Sequence, residues 1–276
     1  MIGAIVGDIV GSVYEFDNIK TKEFELFKKE CEFTDDSVLT IAVAETLMEC
    51  EPFDDEEFKE LLIDVFYEYG EMYPDVGYGG NYLYWVEHKK REPYNSCGNG
   101  SAMRVSPVGW YAKNLEECEK IAKLSAEITH NHPDGIKGAE AIAMAVYLAR
   151  IGKDKAYIRE RMSEYYPNLK DKYFAIKWLM GNYGYDDWGA WVTCEGSIPH
   201  AIAAFLDGEN FEDVIRNAVG IGGDSDTIGA MAGSIAEAYY GVPIDLEEKA
   251  LSYLPEHLQG LCHAFRMIKK KRVSRV

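Results

Sequence analysis

Two aspartates in an otherwise apolar stretch constrain the fold of this chain more than any other feature. The segment "AVGIGGDSDTIGAMAG" (residues 218–233) places Asp224, Asp226 and Thr227 among glycine, alanine and aliphatic residues. Burying an isolated carboxylate costs free energy, and such a group takes up a proton rather than stay charged. A cation between the two carboxylates removes much of that cost. The segment therefore predicts a metal site whose other ligands come from elsewhere in the chain.

A second pair of acids lies near the other end of the chain. The segment "FTDDS" carries Thr34, Asp35 and Asp36, and apolar residues at helical spacing follow it. Taken alone, either aspartate is explained as the cap of that helix. Taken together, both segments place two acids beside a threonine where a loop enters a helix. Four carboxylates with two hydroxyls make a hard, oxygen-only site for Mg²⁺ or Mn²⁺, for one ion or for two.

The hydrophobic pattern is helical along the whole chain. No stretch alternates with period two, whereas apolar residues recur at helical spacing in many segments. Gly3, Gly7 and Gly11 recur every four residues and predict a helix with one smooth face. Further helices are predicted at 37–50, 54–73, 114–130, 135–152, 155–165, 173–180, 197–206, 211–219, 227–240 and 257–270. The pattern indicates a compact all-α fold in a single domain, residues 1–276.

Charge and composition restrict the partners and the compartment. A formal net charge of −18 over 276 residues disfavours binding to a nucleic-acid backbone. The basic run at 269–272 is interpreted as the solvated end of the last helix. The six cysteines include no C-x-x-C pair, so free buried thiols are expected. No segment resembles a signal peptide or a membrane span, which predicts a cytoplasmic protein that does not bind membranes.

Two further loops carry polar residues that suit a ligand. In "NSCGNGSAMRVSPVG", Gly98 and Gly100 allow a turn whose N–H groups meet an anion such as a diphosphate, although a simple loop before the next helix has the same pattern. In "THNHPDG", His130 and His132 can ligate a metal, but an oxygen-only site does not need them. The chain lacks a P-loop motif, and "GIGG" lacks the βαβ context of a dinucleotide fold.

Five segments together resemble the ADP-ribosylglycohydrolase family, which includes the dinitrogenase-reductase-activating glycohydrolases and the human ADP-ribosylhydrolases. They are "GAIVGDIVGSVYE", "FTDDS", "GNGSAMRVSPVG", "SAEITH" and "GIGGDSDTIGAMAGSIAEAYYG", in the family's order. The resemblance implies an orthogonal multi-helix bundle, all-α, with a binuclear Mg²⁺ or Mn²⁺ centre. It also implies a hydrolase that cleaves the C1″ bond between ADP-ribose and an acceptor.

The resemblance also implies roles for individual residues. The implied metal ligands are Thr34, Asp35, Asp36, Asp224, Asp226 and Thr227. A carboxylate among Asp35, Asp36 and Glu15 would act as the base for water, and Glu15 is similar to the family's mobile glutamate. The implied ADP-ribose pocket consists of Ser96, Gly98, Asn99, Gly100, Ser101, Met103 and His130. Cys97 stands where some members have an adenine-binding aromatic residue, so Tyr94 or a residue of "NYGYDDWGAW" would take that place.

Two other functions remain open from the sequence. One is a catalytically inactive ADP-ribose-binding module, against which the intact acids argue. The other is a metal-dependent phosphatase or nucleotide-sugar enzyme, which leaves "GNGSAMR" and the glycine repeat unexplained. The expected partner is an ADP-ribosylated protein or a small ADP-ribosyl substrate, and a monomer is expected. The acceptor can be arginine, serine, a nucleic-acid end or a metabolite.

Overall fold

The computed structural model describes residues 1–50, 53–174, 177 and 188–273. Within them the chain is helical, forms no β-strand and has one isolated bridge, between Gly98 and Thr193. The α-helices are α1 (Ile2–Gly11), α2 (Asp35–Glu49), α3 (Asp55–Met72), α4 (Gly80–Glu87), α5 (Gly100–Met103), α6 (Ser106–Tyr111), α7 (Leu115–Glu127), α8 (Pro133–Arg150), α9 (Lys155–Tyr165), α10 (Trp188–Trp191), α11 (Cys194–Asp207), α12 (Phe211–Ile221), α13 (Ser225–Tyr240), α14 (Ile244–Leu251) and α15 (Glu256–Val273). The all-α prediction is confirmed.

The long predicted helices are present with small shifts at their ends. Helix α9 has the predicted bounds, and α13 begins two residues earlier than predicted, at Ser225. The short helices α4, α5, α6, α10 and α14 were not predicted, because four to eight residues give little helical periodicity. Of the helix predicted at 173–180, only Tyr173, Phe174 and Lys177 are described, and the rest lies outside the described residues.

Helices α1 and α13 contact each other through their backbones. A Cβ atom added to Gly7 would lie 2.0 Å from the carbonyl oxygen of Gly229, and one added to Gly3 would lie 2.1 Å from that of Gly233. Helix α13 has no room for a side chain at this contact either, since a Cβ added to Gly229 would lie 2.5 Å from the carbonyl oxygen of Gly7. The predicted smooth face is therefore a helix crossing that admits no side chain. It brings the acids of the N-terminal segment next to the start of α13.

The beginning of α1 is attached to the end of α13 by a buried ion pair. The ammonium group of Met1 lies 2.7 Å from Glu237 Oε2, and both side chains are buried. The N–H of Gly3 donates to the same oxygen at 2.8 Å, which satisfies one of the unpaired donors at the helix start. All ten residues of α1 are buried, so this helix forms the centre of the bundle.

Two smaller expectations concerned buried free cysteines and the absence of a membrane-spanning segment. All six cysteines are free and five of them are buried, but Cys97 is exposed, contrary to the expectation of buried thiols. It lies in the irregular loop before α5, where the side chain points away from the core. Across the described residues, none of the helices is long and apolar enough to cross a membrane.

We expect Gly7→Ala to lower the free energy of unfolding by about 3 kcal/mol or more, because the added methyl group meets backbone that cannot move aside. Gly260→Ala is the matched control, since Gly260 is exposed in α15 and a Cβ there meets nothing within 4 Å. It should raise stability by about 0.5–1 kcal/mol. Urea unfolding followed by circular dichroism measures both, and wild-type stability of Gly7→Ala would contradict the close crossing.

Candidate functional site

A cavity of about 390 Å³ is lined by residues of α2, α4, α5 and α13 and of the loops that connect the helices. Most of the predicted site residues line it, although they come from distant parts of the chain. They are Glu15, Thr34, Asp35, Asp36, Ser96, Gly98, Asn99, Gly100, Met103, His130, Asp224, Asp226 and Thr227. Ser101 is not in the lining, because its hydroxyl donates to the carbonyl of Gly135 at 2.7 Å. The cavity is of the size that small-molecule sites have.

Asp8 holds the start of α2 in place. Its carboxylate accepts hydrogen bonds from the backbone N–H groups of Thr34 and Ser37, at 3.0 and 3.1 Å, and from both of their hydroxyls. Thr34 in turn caps α2 by accepting from the N–H of Asp36 at 3.3 Å. Thr34, and neither aspartate, is therefore the cap of this helix. Asp8 was not predicted as a site residue, and its sequence signal is an acid within the glycine repeat.

The second acid pair follows two glycines with left-handed backbone. Gly222 and Gly223 have φ angles of 76° and 81°, which residues with a side chain rarely adopt. A Cβ on Gly223 would also lie 2.3 Å from the ring of Trp191. Asp224 accepts from the side-chain amide of Asn99 at 2.6 Å. The "GIGG" stretch thus makes a tight turn that places Asp224 and Asp226 at the cavity.

Asn18 joins the segment after Glu15 to this turn. Its side-chain amide donates to the carbonyls of Tyr14, Glu15 and Gly223, at 2.7, 2.8 and 2.9 Å. Its oxygen accepts from the N–H of Gly223 at 2.5 Å. Asn18 therefore sets the position of Glu15 relative to the second acid pair. The sequence carries no signal for this role, because an asparagine in a loop is common.

The acids form two groups that share one member. Carboxylate oxygens of Asp8, Asp36 and Asp226 lie within 4.8 Å of one another, and so do those of Glu15, Asp224 and Asp226. Such a spacing of oxygens suits a divalent cation in each group. The two motifs predicted to meet, "FTDD" and "GGDSDT", are therefore brought together. Asp35 lines the same cavity but lies in neither group, and it is only partly buried.

Burial and mutual repulsion disfavour the charged forms of these acids. Burial raises the pKa of Asp36 and Asp226, and the neighbouring carboxylates raise it further. Asp35 has a raised pKa for the same two reasons. Burial, together with the charges of Asp226 and Asp8, raises the pKa of Glu15 to about 8. Among the described residues, none of these acids forms an ion pair with a lysine or arginine, so a bound cation would relieve their repulsion.

One oxygen in the cluster lacks any partner. Asp36 Oδ2 accepts from the hydroxyl of Thr227 at 3.1 Å. Asp36 Oδ1 is buried and has no hydrogen-bond partner among the described residues. An orphaned carboxylate oxygen in a cluster of acids and hydroxyls is a free ligand for a cation. The donor set consists of oxygen atoms only, which fits Mg²⁺ or Mn²⁺.

The glycine-rich loop differs in detail from the predicted anion turn. The N–H of Gly98 donates to the Ser96 hydroxyl at 3.0 Å, and the N–H of Asn99 donates to the carbonyl of Val192 at 2.9 Å. These two amides therefore do not face a ligand. Within the described part of the chain, the N–H groups of Gly100 and Ser101 have no backbone acceptor. An anion at this loop would meet those two amides.

The two histidines of "THNHPDG" have separate roles. His130 is buried at the cavity wall, and its Nε2 would lie 3.0 Å from a Cβ added to Gly100. His132 is the cap of α8 and accepts from the N–H of Asp134 at 3.2 Å. It is not part of the cavity lining. Neither histidine belongs to the acid groups described above.

Comparison with known proteins agrees with the site's composition. The model of the ADP-ribosylglycohydrolase family matches residues 1–273. The chain belongs to this family. The glycohydrolase is 26% identical to the mouse (Mus musculus) ADP-ribosylhydrolase ARH3 over 336 aligned positions, which cover 96% of this chain and 86% of the relative. It is 24% identical to the Pseudomonas putida ADP-ribosylarginine hydrolase Tri1, with coverage of 95% and 75%.

A solved structure supports the fold of this glycohydrolase. A chain described as an ADP-ribosylglycohydrolase-related protein complex superposes with a TM-score of 0.66, at 22% identity and over 97% of both chains. An uncharacterised protein of Archaeoglobus fulgidus is 32% identical over 217 positions, with coverage of 75% of this chain and 71% of its own. At the family level, the chain is an enzyme that acts on ADP-ribose linkages.

A histidine of the glycohydrolase supports the ring that packs against the Gly223 turn. The ring centroid of His200 lies 5.1 Å from that of Trp191 and 4.8 Å from that of Phe174. His200 Nδ1 lies 2.8 Å from the carbonyl of Gly196, so this nitrogen carries a proton that it donates. Burial lowers the pKa of His200 to about 3. The ring is therefore neutral in the folded protein across the whole mildly acidic range.

We expect His200 to make the folded glycohydrolase sensitive to acid. The unfolded chain takes up the proton near pH 6.5 and the folded protein does so near pH 3, so stability is lost as pH falls through that window. The slope is about 1.4 kcal/mol per pH unit for this one group. His200→Asn retains a donor for Gly196 and should lose less stability than wild type between pH 7 and pH 5 in urea unfolding. Parallel pH curves for the two proteins would contradict this assignment.

Proposed function

We propose that this chain is a divalent-metal-dependent hydrolase that cleaves the C1″ bond joining ADP-ribose to an acceptor and so reverses ADP-ribosylation. The observation that carries the proposal is the buried, unpartnered oxygen of Asp36, which lies in an acid cluster at the wall of the 390 Å³ cavity. Membership in the ADP-ribosylglycohydrolase family supports the substrate class. The match over residues 1–273 supports a single domain.

In this proposal, two ions of Mg²⁺ or Mn²⁺ are held by six residues of the two motifs. These are Thr34, Asp35, Asp36, Asp224, Asp226 and Thr227, all of which line the cavity. Asp8 supports the set by holding Thr34 and the first turn of α2. When bound, the ions supply positive charge that orders oxygen ligands and lowers the pKa of water. They would also remove the repulsion that raises the pKa values of the acids.

The remaining residues would bind and orient the substrate. Asp35, Asp36 or Glu15 would take the proton of the attacking water, and Asp35 is partly exposed to the cavity. Positive charge that develops on the ribose as the bond to the acceptor breaks would be stabilised by the surrounding acids. The free amides of Gly100 and Ser101 would hold the diphosphate. Tyr94, which lines the cavity, is the described candidate for contact with the adenine ring.

The acceptor is identified by direct assay of arginine and serine linkages. The Pseudomonas relative is named for arginine-linked ADP-ribose, and arginine and serine are the protein acceptors that we would assay first. Free ADP-ribose is measured after incubation with arginine-linked or serine-linked ADP-ribosyl peptides, in Mg²⁺, in Mn²⁺ and in EDTA. Release from one peptide, abolished by EDTA, is the expected result. Tight binding of ADP-ribose without release would favour the inactive binding module, and neither binding nor release would contradict the proposal.

Asp36→Asn and Asp226→Asn should each lower kcat by about 10²–10³-fold or more, because each removes a charged oxygen ligand from the cluster. Both variants should remain folded, since an amide relieves the repulsion among buried acids. Asp245→Asn removes an exposed acid from the first turn of α14 and serves as the matched control with wild-type turnover. Calorimetric titration with Mn²⁺ reports binding separately from activity. Near-normal turnover of either cluster variant would rule out the carboxylate roles proposed here.

A further inference from the structure

A buried arginine lies beside the cavity, away from the acid cluster. Arg104 lines the cavity wall with only 1% of its surface exposed. Its guanidinium carbon lies 4.7 Å from the centroid of the Phe66 ring. No carboxylate of the described residues lies within ion-pair distance of it, and its Nε has no hydrogen-bond partner there. A buried cation without a counter-ion is costly, so the remaining contacts of Arg104 must offset that cost.

Hydrogen bonds connect Arg104 to His130 through the hydroxyl of Thr129. Arg104 Nη2 donates to the hydroxyl of Thr129 at 2.8 Å and to the carbonyl of Ser125 at 3.1 Å. The same hydroxyl lies 2.8 Å from His130 Nδ1. The ring of Tyr94 lies edge-on to that of His130, with the ring centroids 5.7 Å apart. Thr129 is fully buried, so bulk solvent does not reach its hydroxyl.

The number of hydrogens at Thr129 decides the direction of these bonds. A threonine hydroxyl has two acceptor positions and one hydrogen. Arg104 can only donate, so it occupies one acceptor position of the hydroxyl and takes no hydrogen from it. Among the described residues, His130 Nδ1 is the other hydrogen-bond partner of this buried hydroxyl, so the single hydrogen of Thr129 points to it. A hydroxyl that accepts from a guanidinium is polarised and is a stronger donor than an isolated one.

We propose that Arg104 and Thr129 are positioning residues that hold His130 in the neutral tautomer with the proton on Nε2. That proton faces the Gly98–Gly100 turn, where a Cβ on Gly100 would lie only 3.0 Å from Nε2. His130 is therefore a donor to an oxygen bound at this turn. The identity of that oxygen as part of the substrate diphosphate rests on the proposed function. Burial and the nearby guanidinium both lower the pKa of His130, in agreement with a neutral ring.

The tautomer is measured on the unliganded protein by ¹⁵N NMR of the imidazole nitrogens at pH 7. The His130 signals are assigned by comparison with His130→Asn among the six histidines of the chain. The expected spectrum shows an unprotonated Nδ1 and a protonated Nε2. A proton on Nδ1, or on both nitrogens, would overturn the proposal. This readout needs neither substrate nor metal and does not depend on how a Thr129 variant folds.

The effect on the ligand is measured with ADP-ribose as the probe. Thr129→Val removes the hydrogen given to Nδ1 and should weaken ADP-ribose binding about tenfold or more, while Thr129→Ser restores it. Thr46→Val is the matched control, because Thr46 is equally buried and its hydroxyl donates only within α2, to the Ala42 carbonyl at 2.9 Å. Equal affinities for all four proteins would overturn the role given to Thr129. If wild type does not bind ADP-ribose, the proposed function and this ligand both fail, whereas the tautomer is still decided by the nitrogen spectrum.

Discussion

The contact on which the structure depends is the crossing of α1 and α13. Glycines on both helices let the backbones touch, and carbonyl oxygens occupy the space that side chains would need. Asp8 lies within this crossing, and Asp226 is in the first turn of α13. The same crossing therefore brings together acids that are more than two hundred residues apart in sequence. The first turn of α2 is then added through the hydrogen bonds that Asp8 accepts.

The site combines a strong repulsion with rigid support. The acids are buried close together, so each raises the pKa of its neighbours. Their backbones are nonetheless held by neutral groups. Thr34 caps α2, and two glycines with left-handed backbone precede α13. Asn18 connects the loop after Glu15 to those glycines. The fold thus maintains an arrangement that the acids alone would disperse. Elsewhere in the cavity lining, Arg104 and His130 are joined through Thr129 by hydrogen bonds that involve no carboxylate.

The parts of the molecule that could be predicted are those with a local signal. The long helices, the glycine face and the two acid motifs each follow from spacing or residue type within a few positions. Asp8 had such a signal but was not assigned to the site. The role of an acid in an apolar helix cannot be inferred before its hydrogen-bond partners, here Thr34 and Ser37, are known. Asn18 and Arg104 had none, since their roles arise from contacts with distant segments. The sequence also could not show that the N–H groups of Gly98 and Asn99 are unavailable to a ligand. Their acceptors, the Ser96 hydroxyl and the Val192 carbonyl, reach them only in the folded chain.

The glycine crossing has a consequence for the choice of ion. Side chains between two helices can change rotamer and let the helices shift, but touching backbones cannot approach further or rearrange without a large cost. The spacing between the backbones that carry Asp8 and Asp226 is thereby held by direct backbone contact, which restricts how far their carboxylates can move apart. Mg²⁺ binds oxygen at about 2.0–2.1 Å, whereas Ca²⁺ needs about 2.3–2.6 Å and more ligands. In the proposed metal site, a frame of this kind would favour a cation by its radius and so discriminate between ions that carry the same charge.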